Sequence, residues 1–154
     1  MRVAIGSLSI DLPDTWSDRT VHTFVAPRVI DPRQSPHLRL GSGFRENVAF
    51  SRERIRPGLG PQKFLSQQMA ELKTRLTGFR MLNEEPCTYC GFEAYSVSYQ
   101  FILRGQRVEV CQMRVAILTR PNEVMLFTGT SAASVFESKK QNFEKVLQSI
   151  EIPA

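Results

Sequence analysis

The sequence predicts an α+β domain in which a mostly antiparallel sheet is flanked by two long helices. Seven runs alternate apolar and polar residues in the manner of strands. Only two segments space their apolar residues for one face of a helix, and they follow the third and the seventh strand-like run. Strands that succeed one another in hairpins, with so few helices between them, favour antiparallel pairing over a doubly wound parallel sheet.

The length and composition fit a single domain that spans residues 1–154. The chain is 42% hydrophobic, and a domain of this length buries roughly 70% of its unfolded surface, so its fold needs neither metal nor disulfide. The longest purely apolar runs, Val115 to Leu118 and Val124 to Phe127, have four residues each, far short of the roughly 18 to 20 residues that cross a bilayer. No direct membrane insertion is expected.

The cysteine count and the first residues predict a cytoplasmic protein. Three cysteines are present, and Met1 to Leu12 lacks the apolar core of a secretory signal peptide. An odd number of thiols without such a segment is typical of a reducing compartment.

The first three strands are predicted at residues 8–12, 20–25 and 47–52. The first ends at Pro13, and the alternation of apolar residues marks all three. Between the second and the third, residues 26–43 contain three prolines and two glycines. This composition predicts a long loop or a flexible hairpin.

The first helix is predicted to begin near Pro61, which suits a first helical turn because its missing N–H costs nothing there. Gly78 stands where a C-terminal cap belongs. A short strand is expected at 79–82, a turn at 87–91, and strands at 92–103, 107–118 and 124–130. The last helix is expected to open between Ser131 and Ser134 and to end near Ser149.

The strand at 92–103 has two unlike faces. One parity is large and apolar and can pack on the helices: Tyr95, Val97, Tyr99 and Phe101. The other parity is small or amide-bearing, which suits either an exposed face or a shallow surface that another element approaches: Ala94, Ser96, Ser98 and Gln100.

The charge is +5 overall, and its excess is concentrated between Arg28 and Arg56, which contain seven arginines. Such a stretch suits phosphates or an acidic partner, or it is a solvated basic loop. It contains no known nucleic-acid-binding motif, so no nucleic-acid partner is expected.

The residues offer little for catalysis, and no enzyme is expected. His22 lies in a strand-like run and His37 in the proline-rich segment, neither with a visible partner. Glu84 and Glu85 precede Pro86 in an expected turn. The pair is more typical of a solvated surface than of acid and base.

Cys87 and Cys90 have the spacing of a zinc or redox pair. A structural zinc site needs two further ligands, and no second pair is present, because Cys111 lies inside a strand. A redox role would need a helix after the motif, whereas a strand pattern follows Gly91. Neither a metal nor another cofactor is expected.

Several short motifs, in order, resemble the DcrB-related proteins of bacteria, and among them the Eag-type adaptor chaperones of type VI secretion. The resemblance begins with the run LSIDLPDTWSDRTV from Leu8 to Val21 and extends over nearly the whole chain. Its further motifs are Phe50-Ser51-Arg52, Leu76-x-Gly78-Phe79, Tyr99-Gln100-Phe101, Arg104-Gly105 and the closing helix.

The resemblance implies a fold like those of the PsbP and Mog proteins, with a curved antiparallel sheet and flanking helices. It also implies a cytoplasmic homodimer that shields the hydrophobic N-terminal transmembrane segments of a secreted Rhs or PAAR toxin before loading on the spike. A DcrB-like structural or ligand-binding domain with another partner is the alternative. The family's client groove maps onto Val21, Thr23, Ala49, Gln68, Leu72, Leu76 and Gln112.

Overall fold

A computed structural model describes residues 2–5, 7–16, 19–26, 44–105 and 107–152 of the chain. The strands are β1 (Arg2–Ile5), β2 (Leu8–Asp11), β3 (Val21–Val25), β4 (Asn47–Arg54), β5 (Thr77–Tyr89), β6 (Phe92–Leu103), β7 (Val108–Arg120) and β8 (Glu123–Ala132). The helices are α1 (Gly60–Arg75) and α2 (Phe136–Gln148), the latter preceded by a 3-10 turn at Ala133–Val135. No described helix has the length and apolar character of a membrane span.

Six strands form one sheet in the order β3-β4-β8-β7-β6-β5, and every neighbouring pair is antiparallel. The strands β1 and β2 pair with each other as a separate hairpin. The predicted α+β class with an antiparallel sheet is therefore confirmed, while β1 was not expected.

The helices are shorter than predicted. α1 has 16 residues, about 24 Å in length, and ends at Arg75, three residues before Gly78. α2 has 13 residues and begins at Phe136. Its expected start lies instead in β8 and the 3-10 turn, because Ser131 is buried and pairs with Cys111 across the sheet. The prediction of two long helices is wrong.

Strand β5 is the largest departure from the sequence-based expectation. It runs for 13 residues and includes Glu84, Glu85 and Pro86, which were expected in a turn. The sheet tolerates a proline and charges there because β5 is an edge strand. The true turn is the two-residue loop Cys90-Gly91, where both residues have positive φ, as tight hairpins prefer.

The two helices cover opposite faces of the sheet. On the face that we call the α1 face, α1 packs over β5, β6 and β7, and its buried Leu65 and Met69 join the core there. On the other face, α2 packs over β8 through Phe136, Phe143 and Leu147. The predicted apolar parity of β6 lies in the core of the α1 face.

Parts of the expected loop and basic stretch, with His37, fall at residues 27–43, outside the described residues. Where the stretch resumes, Arg45 Nε donates a hydrogen bond to the Ala26 carbonyl oxygen at 2.9 Å.

Candidate functional site

The seven predicted groove residues lie on the α1 face, on α1 or, for Leu76, at its C-terminal cap. Directly paired residues of antiparallel strands point to the same face of a sheet. Thr23 pairs with Ala49, Ala49 with Thr128, and Thr128 with Arg114, so these four side chains form one row. Val21 and Gln112 belong to the neighbouring rows on the same face. Whether these residues bind a client stays a prediction.

The α1 face has two unequal halves. The half under α1 carries buried, large side chains such as Tyr99 and Val97. The half formed by β3, β4 and β8 carries mainly short side chains in the central row, Thr23, Ala49 and Thr128, which are exposed or half-buried. We call this second part the open half. Its short side chains leave room beside α1 for another element.

Partly exposed apolar side chains occur on α1, on its cap and on the edge strand β3. Leu72 and Leu76 are half-buried and pack against the core from α1 and its cap. Val21 lies on the edge strand β3 with 58% of its surface exposed.

The two predicted glutamines are already hydrogen-bonded within the protein. Gln112 Oε1 accepts a hydrogen bond from the Tyr99 hydroxyl, and its Nε2 donates to Thr130 Oγ1 at 3.0 Å. Gln68 Oε1 accepts from Arg114 Nη1 at 2.9 Å. Each amide is held in one orientation and keeps N–H capacity for a further acceptor.

Burial raises the pKa of Tyr99 to about 12, with the nearby Arg114 charge acting against this rise. Arg114 Cζ lies 5.8 Å from the centroid of the Tyr99 ring, within the range of a cation–π contact. The phenol is therefore protonated at neutral pH and available as a donor to Gln112.

Arg114 is the functional candidate that sequence reasoning missed. It lies between Gln112 and Ala116 on the α1 face of β7, directly before the apolar run Val115 to Leu118. The sequence does contain an indication of this role, because residues 112 and 114 have the same parity along β7 and therefore both face α1. Its partner Gln68, however, is 46 positions away in the chain.

The other chemical candidates do not come together in one site. His22 is exposed on β3, and Glu84 and Glu85 are exposed on β5. Burial, followed by the charges of Glu144 and Glu85, raises the pKa of the Cys87 thiol to about 11. All three cysteines are free, and the described part of the chain contains no group of three metal-ligating side chains.

Several solved structures have a similar fold. A Pseudomonas aeruginosa protein of unknown function, PA94, described as a putative regulator, has a TM-score of 0.70 and 17% identity, and the match covers 100% of this chain and 97% of that one. The PsbP protein of Synechocystis, CyanoP, has a TM-score of 0.54 and 14% identity, with coverage of 94% and 99%. LpqN of Mycobacterium tuberculosis, involved in cell envelope biogenesis, has a TM-score of 0.51 and 16% identity, with coverage of 86% and 82%.

The fold is therefore PsbP-like, as the resemblance implied. Within this class, the chain belongs to the DcrB family, whose family model matches residues 37–149. No curated protein sequence matches the chain.

Proposed function

We propose that the protein is a cytoplasmic chaperone and adaptor of the Eag type. Its client is the hydrophobic N-terminal transmembrane segment of a type VI secretion toxin of the Rhs or PAAR type, which it shields before the toxin is loaded on the spike. The observation that carries the proposal is the open half of the α1 face, where the short side chains of Thr23, Ala49 and Thr128 lie on the same face as the exposed Val21.

The energetic logic favours an apolar helix as the occupant. A transmembrane segment in water exposes apolar surface, and burial stabilises it by about 25 cal/mol per Å². An interface of about 1,000 Å² would supply tens of kcal/mol before the costs of ordering are subtracted. Short strand side chains beside half-buried leucines are suited to the close approach of a helix.

The amides suit the polar groups of such a helix. In a membrane, neighbouring helices supply hydrogen bonds to these groups, at roughly 0.6 to 2 kcal/mol each. Gln68 and Gln112 are held in place by Arg114, Tyr99 and Thr130. They therefore offer N–H groups at fixed positions on this face.

The test is client capture by two matched variants of strand β3. Val21 and Phe24 are exposed to a similar extent, 58% and 61%, but they point to opposite faces of the sheet. Val21→Asp places an unpaired charge against an apolar helix, which costs several kcal/mol. Capture should collapse in Val21→Asp and persist in Phe24→Asp.

The readout is co-purification with the N-terminal fragment of an Rhs or PAAR toxin encoded next to this chain. Each variant must keep the wild-type melting temperature, so that lost binding is not lost folding. Undiminished capture by a folded Val21→Asp protein would contradict the proposed face. It would favour the alternative of a DcrB-like domain with another partner.

The role of the Gln68 amide in binding is tested by comparison with the neighbouring Gln67. Gln68→Ala should weaken binding by about 0.5 to 2 kcal/mol, because it removes hydrogen bonds without adding a charge. Gln67→Ala, on the exposed surface of the same helix, is the matched control and should leave the Kd unchanged. Equal Kd values for the two variants would remove Gln68 from the site.

A further inference from the structure

The guanidinium of Arg114 is incompletely partnered on the α1 face. Nη1 donates to Gln68, but Nε is buried and makes no hydrogen bond. Nε shares one edge of the planar group with Nη2, and on that edge Nε has no acceptor among the described residues. A buried, charged donor without an acceptor is costly, so this edge is a place where an added acceptor would be favourable.

No acid of the described residues compensates this charge. Ion pairs of the described residues do not include Arg114. On the same face, Glu53 pairs with Arg19 at 3.9 Å and lies about 13 Å from the row of Arg114 along the strands. Glu84 is separated from Arg114 by Val97 on β6, at about 10 Å across two strand spacings.

We propose that Arg114 receives a carboxylate side chain carried by the apolar client segment. This inference rests on the proposed function and names the chemistry of its client. A carboxylate matches the Nε–Nη2 edge because it accepts two parallel hydrogen bonds from a guanidinium. The site lies at the border between α1 and the open half, where Arg114 borders Thr128. Charge complementarity selects an acidic segment over a basic one.

The consequence is a chaperone that distinguishes among apolar helices. A carboxylate in a transmembrane segment is rare and costly in lipid, and it is equally costly against an uncharged chaperone face. Pairing with Arg114 offsets that cost, and Gln68 holds the guanidinium in the orientation that the pair requires. Charge-assisted hydrogen bonds of this kind correspond to at least about tenfold in affinity.

The test uses two lysine-flanked leucine–alanine peptides of helical design, one with a central Glu and the other with Gln at that position. Their Kd values for the full-length protein are measured by fluorescence anisotropy at pH 7.5. Wild type should bind the Glu peptide at least about tenfold more tightly. Arg114→Gln should bind both peptides equally, and Arg114→Lys should retain part of the preference, since Lys keeps the charge but loses the two-point geometry.

The outcomes separate the two proposals. Tight but equal binding of both peptides to wild type would overturn the carboxylate site and leave the chaperone proposal intact. Binding of neither peptide would contradict the proposed function, and the inference with it. Because the first comparison uses only wild-type protein, it is decisive even if Arg114→Gln does not fold.

Discussion

The buried phenol of Tyr99 makes the stability of the fold depend on pH. Its pKa is raised from 10.0 to about 12 by burial. Below pH 10 the phenol is protonated in both the folded and the unfolded state, and its contribution to stability is complete. As the pH rises from 10 to 12, the unfolded state loses its proton first, so this contribution is progressively lost.

We therefore expect Tyr99→Phe to lose less stability than wild type on raising the pH. Between pH 10 and 11 the difference should be about 1 kcal/mol in the free energy of unfolding, since one pKa unit corresponds to about 1.4 kcal/mol. Urea unfolding at both pH values measures it. Parallel losses in the two proteins would show that Tyr99 does not titrate with a raised pKa.

Gly129 has a steric role on the α2 side of the sheet. A Cβ at this position would lie 2.8 Å from atoms of the Phe143 ring. Gly129→Ala should therefore destabilise the fold by about 1 to 3 kcal/mol through overpacking. In a double-mutant cycle, Phe143→Leu should recover part of that loss, whereas strict additivity of the two changes would contradict the contact.

Helix α1 carries both fully buried and partly exposed leucines. Leu65 is fully buried, while Leu72 is half-buried at the margin of the same core cluster. Leu65→Ala should cost about 2 to 5 kcal/mol of stability, and Leu72→Ala less than half of that, while reducing client capture more strongly. Thermal and urea unfolding, with co-purification, measure both effects. A Leu72→Ala protein with normal capture would exclude this side chain from binding.

The sequence predicts a strand well where the same alternation of apolar residues continues over a long run. Strands β6, β7 and β8 were located within about two residues because their apolar parity continues over long runs. The sequence pattern divides β5 into a short strand and a turn, because Glu84, Glu85 and Pro86 are unfavourable in a central strand. Nothing in the local sequence reveals that this strand lies at an edge of the sheet. Arg114 was missed for a similar reason, since its partner comes from a helix distant in sequence.

We propose a homodimer that presents two open faces to the client. One chain has a mass of 17.5 kDa, so light scattering at tens of micromolar, without client, should give about 35 kDa, twice that value. Two-fold symmetry is the commonest arrangement of identical chains, and it would place two faces around more than one segment. A mass of one chain under these conditions would contradict the proposal.

The two edge strands of the sheet differ in how readily they would pair with a further strand. Strand β5 carries Pro86, two register breaks and exposed acids, all of which oppose the addition of a neighbour. Strand β3 is regular over its five residues and exposes Val21, Phe24 and Val25. Chains that joined edge to edge would therefore meet at β3, and the outer β5 edges would end growth at two copies, so such an assembly is closed and not fibrous.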